Sequence, residues 1–515
     1  MFPGKDRLTS NGMKPALDVL IQRTREAIKA RLNKDQCYCI TTDGWTSRAL
    51  RGHTTLTVHW LDKSFVMQSA VLGAPLVEGP ATAENLYQLL SSRLRQFGLT
   101  TNDISAICID QGANYQAMAK SLVAAPALPC ICHLLNHVME DVASECFDHV
   151  IVWANKLVST VKNSSANRRA LEDAQRAAGR PVKRLKAASS TRWFYFVSVL
   201  QRIMDVYPDL ETAAVTNNDI RELWLDGTPS TNELDTILEC LEPIAARIIY
   251  FQTQGESLIR ALLPTLLNLY STAKQGAAAR DGELRTAILN SIRNNLNKRF
   301  KWDKIPTHWL IATCLDPRFK DFNPPAQLLP SPLDRTWPAV IRKTHNHIRD
   351  ELHAVFTSNL VAPVAQIDAE VDVEVAQQEL EREALAAPEE LFLPPPSKKS
   401  APRMVLSLDM ARSMFGGLVE IENSTVRCLS SWETQWRVFC RDPQISPTLS
   451  ALHWWADKCD EYPTISQLAR KYLAIPVSAA ASERVWSLAG NVMTAKRVSM
   501  SPETLDDIIM VKCNM

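Results

Sequence analysis

The chain has 515 residues, with 57 Lys and Arg against 56 Asp and Glu, and is 46% hydrophobic and 22% charged. That is the make-up of a globular protein long enough for roughly three domains. It excludes disorder throughout, and the formal charge of +1 gives no sign of a nucleic-acid partner. Glycine supplies only 16 residues, against a usual share of about 7%. This counts against nucleotide folds built on Gly-rich turns, and neither G-x-G-x-x-G nor G-x-x-x-x-G-K-S/T occurs. Twelve cysteines are too sparse for a disulfide scaffold and point to a reducing compartment. The start, MFPGKDRLTSNGMK, lacks the apolar centre of a secretory signal. No uncharged apolar run approaches the ~18 residues of a membrane span, so the expectation is a soluble protein with no membrane partner.

Residues 15–34 space Leu17, Leu20, Ile21, Ala27, Ile28 and Leu32 on one helical face. The period then changes. CYCITTDGW, HTTLTVHWLD and SFVMQSAVLGAPL are β-branched and aromatic-rich and predict three strands of a meander. Thr82 to Phe97 predicts a helix with Leu86, Leu89, Leu90 and Leu94 inward, and ISAICID a buried fourth strand. From about 134 to 360 helical spacing takes over. Leu234, Ile237, Leu238, Leu241, Ala245 and Ile248 form its clearest stripe, with Pro243 expected to kink or split the helix. Residues 361–392 carry a net charge of −8 and run into LPPPSKKSAP, a solvated linker. Helical patterning returns over 415–515. The last helix is marked by Ser501 as N-cap, Pro502 at N1, and Leu505, Ile508 and Ile509 on one face.

Two carboxylates stand out. Asp43 ends the first strand in TTDGWTS and Asp110 ends the fourth in IDQGAN. If those strands are parallel neighbours, the two acids lie side by side, each raising the other's pKa unless a cation intervenes. Hard oxygen ligands suit Mg²⁺, and such a site polarises a phosphate and activates a water. The alternative is that these are turn residues, since Asp-Gly after a strand is a common turn. Cys130, Cys132, His133 and His137 are open to two readings, a structural zinc site or core cysteines with a helix-capping histidine. Between Arg168 and Arg192 eight bases (including Lys183, Arg184 and Lys186) face two acids, a local +6 suited to phosphate. A solvated basic helix face with Trp193 in the core is the other reading. Trp454, Trp455, Tyr462, Leu468, Tyr472, Leu473 and Ile475 make a dense apolar set.

The ordered motifs TTDGWTS, IDQGAN, PCICHLLNH, SSTRW and YPTISQLARKYLAIPVSAAASERVWSLAG together resemble transposases of the hAT superfamily, from about residue 15 to the end. The resemblance implies an α/β plus α protein whose RNase H-like core is interrupted by a long all-helical insertion. The expected divisions are an N-terminal helical segment (1–34), the first part of the core (35–140), the insertion (141–360), an acidic, Pro-rich linker (361–414) and a C-terminal dimerisation region completing the core (415–515). It implies a catalytic, metal-holding triad of Asp43, Asp110 and Glu483, the last from ASERVWS, using Mg²⁺ or Mn²⁺ to cleave and join transposon-end DNA in the nucleus. Cys130 and His133 match a C-x-x-H motif whose histidine lies close to the active site. Arg192 and Trp193 match an Arg-Trp pair whose Trp stacks on a DNA base. Trp454, Trp455, Leu468, Tyr472, Leu473, Trp486, Leu505, Ile508 and Ile509 fall in the dimer-forming region of a homodimer or larger homo-oligomer.

The sequence departs from the family pattern in four places. Gln111 stands where Asn is usual, Ala81 where His is frequent, and Trp486 where Phe is usual. No BED-type zinc finger precedes the core, which keeps open a second expectation: a domesticated DNA-binding and dimerisation protein without catalytic activity.

Overall fold

The computed structural model describes residues 10–33, 36–47, 50–110, 112–122, 125–186, 194–357, 431–493 and 500–515, with backbone alone at 10–14, 121–122 and 194. Arg192, Trp193, Gln111 and the linker of 361–414 therefore lie outside the described residues. The fold is mixed α/β, mostly helical, around one small sheet.

Helix α1 (Ser10–Arg31) leads into β1 (Tyr38–Thr42), β2 (Gly44–Thr46), β3 (Gly52–Thr54), β4 (Leu56–Leu61) and β5 (Met67–Gly73). After α2 (Ala83–Gln96) come β6 (Ile104–Ile109), α3 (Ala113–Leu122), β7 (Ala127–Pro129) and α4 (Ile131–Cys146). The five-stranded sheet has the order β5-β4-β1-β6-β7. β1 pairs antiparallel with β4, Ile40 opposite Val58, and parallel with β6, Ile40 opposite Ile107 and Thr42 opposite Ile109. The expected meander and its parallel neighbour are both present. Two details were not anticipated: the first two strand segments each break, so that β2 and β3 form a separate hairpin, and the three-residue β7 adds a fifth strand.

Period-2 alternation divides the sheet between two cores, because successive side chains leave opposite faces. Tyr38, Ile40, Val58, Trp60 and Ile107 pack with Ile21 and Ile28 of α1, Leu86, Leu90 and Leu94 of α2, and Met510 and Val511 of the last helix. Cys39, Ala106, Cys108 and Leu128 face the helical side, against α4 and the helices beyond it. Among the described residues no strand occurs between 130 and 357. The helix Thr231–Phe251 runs unbroken through Pro243. Proline forfeits one backbone hydrogen bond there, while Leu241, Ile244, Ala245 and Ile248 on either side are buried and hold the helix together.

The chain from 431 onward folds back on both parts. On the helical side the turn after Cys314 is its dock. Trp455 donates from Nε1 to the Leu315 carbonyl at 2.9 Å, Ile445 N to the Pro317 carbonyl at 3.3 Å, and Lys320 Nζ to the Phe439 carbonyl. Arg318, 1% exposed, grips Asp316 through Nε at 2.9 Å and Nη2 at 2.6 Å. On the sheet side the last helix, Pro502–Asn514, is capped by Ser501 as expected and lies along β5. Its Asp506 accepts from Arg93 of α2 and from the Ala74 amide at 2.6 Å. Gly73 permits this contact. Its φ is +140°, and a Cβ there would meet Asp506 Oδ1 at 2.2 Å.

Arg93 and Asp506 are both below 10% exposed, so removing one leaves a buried, uncompensated charge. Asp506→Ala should therefore lower stability by about 3–5 kcal/mol, whereas the paired replacement Arg93→Met with Asp506→Leu should recover most of the loss. Urea unfolding of the three proteins measures both.

Candidate active site

Asp43 and Asp110 are the residues immediately after β1 and β6, whose register sets Thr42 against Ile109. Adjacent strands run about 4.8 Å apart, so the two acids stand next to each other at the same end of the sheet. The break after β1 occurs at Asp43 itself. Its carbonyl accepts from the Thr55 amide at 3.0 Å, which turns the chain out of the main sheet and into the β2–β3 hairpin. Asp110 is held by the Gly112 amide, which donates to Oδ1 at 2.9 Å. A Cβ on Gly112 would sit 2.9 Å from that same oxygen, so the glycine of IDQGAN allows the close approach.

Glu483 arrives from the far end of the chain on the helix Ala480–Val492. The segment before that helix is stitched to the start of α4. The Ile131 amide donates to the Val477 carbonyl at 2.9 Å, and the Ala479 amide to Cys130 Sγ at 3.3 Å. Ser478 Oγ donates to the Phe251 carbonyl at 2.8 Å, Ser482 Oγ to Thr41 Oγ1 at 3.3 Å, and Arg484 Nη1 to the Gln252 carbonyl at 3.0 Å. Glu483 thus stands between two anchored residues. Burial pushes the Asp43 carboxyl up to about 7, reinforced by the negative charges of Asp110 and Glu483 and opposed by the Gly44 amide. The three acids predicted from sequence therefore share one electrostatic neighbourhood.

The donors are hard carboxylate oxygens, the chemistry that suits Mg²⁺ or Mn²⁺. Among the described residues, however, no three His, Cys, Asp or Glu side chains gather closely enough to hold a metal ion. The same finding disposes of a zinc site at Cys130, Cys132, His133 and His137. Both cysteines are buried in the helical-side core, and Cys132 Sγ donates to the Ile248 carbonyl at 3.6 Å. His133 meets His137 edge-on at 4.7 Å, and His137 pairs with Glu140 at 3.0 Å. Cys130 is itself the N-cap residue of α4, without a side-chain cap, so the histidine does not cap the helix. His133 does border the acids: burial and His137 lower its pKa, while Asp110 and Glu483 oppose that shift.

Trp486 stacks on Trp45 at 5.3 Å with the rings 19° apart, and its buried indole N–H lies toward Asp43, where it opposes the rise of that carboxyl's pKa. It walls the acid cluster against the β2–β3 hairpin. Most residues expected in the dimer-forming region also serve the core of their own chain. Trp455, Leu468, Tyr472, Leu473, Trp486, Leu505 and Ile509 are buried within their own chain, while Trp454 and Ile508 remain partly exposed. Part of the basic segment meets acids in the folded chain. Lys183 pairs with Asp205, Arg184 with Glu172, Arg180 with Asp209, and Arg176 with Glu172 and Asp173, while among the described residues Arg168 and Arg169 bond only backbone carbonyls and Lys186 is exposed. Asp205 and Asp209 come from outside the segment over which the charge was summed. Sequence reasoning also passed over Leu315–Lys320, whose Asp-Pro-Arg turn was the available signal.

Residues 431–515 match the family model described as the hAT family C-terminal dimerisation region, and residues 41–128 match the ZBED1 RNase-like domain. The chain is 20% identical over 493 residues to the zinc finger BED domain-containing protein DAYSLEEPER of Arabidopsis thaliana, covering 92% of this chain and 63% of the relative. It is 21% identical over 539 residues to a putative AC transposase of Zea mays, covering 99% and 60%. It is 22% identical over 497 residues to RICESLEEPER 1 of Oryza sativa subsp. japonica, covering 91% and 63%. The chain spans about three fifths of the length of these curated relatives. The chain carries a hAT-family C-terminal dimerisation region, and along most of its length it is similar to an Ac-type transposase and to plant BED-finger proteins.

Proposed function

We propose that this chain is a DNA-processing protein of the hAT transposase type, which cuts transposon-end DNA and joins it to a target in the nucleus. The observation that carries the reading is the strand register that sets Asp43 and Asp110 side by side at the ends of β1 and β6, with Glu483 among the charges acting on Asp43. Like charges so arranged disfavour one another unless a cation relieves them. Asp43 and Asp110, at the ends of adjacent parallel strands, would hold a divalent metal, with Glu483 as a further charge in their neighbourhood. The metal, when bound, supplies phosphate polarisation and an activated water or hydroxyl. The chain's part is to hold the carboxylates at the sheet end, to back them with Trp486 and Trp45, and to keep His133 at their border. The match of residues 41–128 to an RNase-like domain supports an RNase H-like core with a helical insertion between its parts.

A second reading is a DNA-binding and dimerising protein that does not cut. It is favoured by the absence of a closed three-donor group among the described residues. In either reading the protein works as a homodimer or larger homo-oligomer through its C-terminal region, which the family match supports. Because most apolar residues there are buried in their own chain, the exposed parts of Trp454 and Ile508 belong to the rim available for a partner copy.

Three outcomes are expected. With Mg²⁺ or Mn²⁺ the wild-type chain should nick transposon-end DNA and Asp43→Asn should not; equal activity in both, or none in either, removes the catalytic reading. Asp43 binds its proton more tightly folded than unfolded, since its pKa rises from the usual carboxylate range to about 7. Stability contributed by the protonated form is therefore lost as pH climbs from about 4 through about 7. Asp43→Asn should abolish that decline and be more stable than wild type by roughly 2–4 kcal/mol at pH 8. Thermal melts across this range, with and without Mg²⁺, test it, and Mg²⁺ should raise the wild-type melting temperature only. Light scattering of the full 57.6 kDa chain should give at least twice that mass, and a monomer at micromolar concentration would exclude the dimer.

A further inference from the structure

A cleft of about 220 Å³ opens beside Asp110. One wall is the end of β6 and β7, with Asp110 and Pro129, together with Lys120 of α3. The facing wall is the turn that follows the helix Glu283–Phe300, with Arg299, Lys301 and Lys304. Arg299 is already committed to Asp141 at 2.7 Å. Lys120, Lys301 and Lys304 are exposed and have no ion pair among the described residues. The backbone of Lys301 is left-handed, with φ +44° and ψ +63°, at the C-cap where glycine is the usual choice. A cation is thus accepted in a conformation that favours the smallest residue, at the mouth of the cleft.

We infer that this cleft binds the phosphodiester backbone of a DNA strand and leads it to the acid cluster. The chemistry is complementary: three unpaired ammonium groups on two opposed walls, with Asp110 in the same lining. Lysine acts as a compact point charge for phosphate, and neutralising phosphates gives affinity that is independent of base sequence. Four cations of the segment that sequence reasoning marked as basic are paired with acids, whereas the three lysines of this cleft have no ion pair among the described residues. The cleft also joins the helical insertion to the sheet, so a strand held in it would span both.

This inference rests on the proposed DNA-processing role, and the test separates the two. Binding of the full chain to a labelled duplex of arbitrary sequence is followed by fluorescence anisotropy in EDTA, between about 50 and 200 mM salt. Three proteins are compared with wild type: Lys120→Gln/Lys301→Gln/Lys304→Gln, the corresponding Lys→Arg triple, and a charge-matched control, Lys29→Gln/Lys63→Gln/Lys512→Gln. All substituted positions are exposed, and melting curves confirm folding. The Gln triple should bind about tenfold or more weakly at about 50 mM salt, with a log–log salt slope shallower by about 2–3. The Arg triple and the control should match wild type. A Gln triple that binds like wild type, or one that weakens no more than the control, overturns the cleft. A wild-type chain that binds no duplex overturns the cleft and the DNA role together. Nicking by wild type with unaltered binding by the Gln triple removes the cleft alone, whereas cleft-dependent binding without any nicking removes only the catalytic reading.

Discussion

The structure depends on a junction of a few hydrogen bonds between Val477–Ala479 and the start of α4. The Ile131 amide reaches the Val477 carbonyl, and the Ala479 amide rests on the Cys130 sulfur. Cys130 in turn donates its own amide to the Ile109 carbonyl at 2.7 Å. One short relay therefore connects the end of β6, the first turn of α4 and the helix that carries Glu483. Asp110 follows Ile109 directly, so the second and third acids are positioned by the same few backbone groups. This makes the insertion part of the site's support, because Ser478 and Arg484 bond to Phe251 and Gln252 at its central helix. Shifting that helix would shift Glu483 without touching either aspartate.

Much of this arrangement was legible in the sequence where local rules and global packing agree. The strand order and the ends at Asp43 and Asp110 follow from period-2 alternation and turn residues. Ser501 and Pro502 mark the last helix by capping chemistry that needs no tertiary context. The failures are equally physical. β7 is three residues long and exists because it pairs with β6, which no local propensity reports. Pro243 looked like a breaker, yet burial on both flanks outweighs one lost hydrogen bond. The charge of 168–192 was summed along the chain, while two acids that pair with part of it, Asp205 and Asp209, arrive from two later helices. Glu483 is the extreme case. Nothing local separates it from other helical glutamates, and only its motif context pointed to the site.

The aromatic set near the C-terminus shows how one segment serves two ends. Trp455 packs against Phe439 and Phe65 at 5.4 and 6.0 Å and ties its indole to Leu315. These contacts fasten the C-terminal region to the sheet and to the insertion at once. A segment so placed presents to a second copy only what its own core leaves uncovered. The family's dimerisation region is therefore a core element first, and any interface it forms inherits the rigidity of that core.

The treatment of buried charge separates scaffold from site. Arg93 faces Asp506, and Arg318 and Arg260 face Asp316, each pair out of water and each matched by the opposite sign. Such pairs hold elements in register because breaking one strands its partner. At the sheet end the neighbours differ: burial raises Asp43 to about 7, as it does Asp316, but at Asp43 the like charges of Asp110 and Glu483 add to the rise, whereas Arg260 opposes it at Asp316. A fold that pairs its ions elsewhere yet concentrates acids here carries a cost at this place, and perturbed carboxylates of this kind gather at functional sites. The lysines of the neighbouring cleft share its lining with Asp110, Lys120 on the same wall and Lys301 and Lys304 on the facing one. Acids and lysines side by side suit a ligand that brings phosphate to the lysines and a cation to the acids, which is the charge pattern of a metal-bound DNA strand.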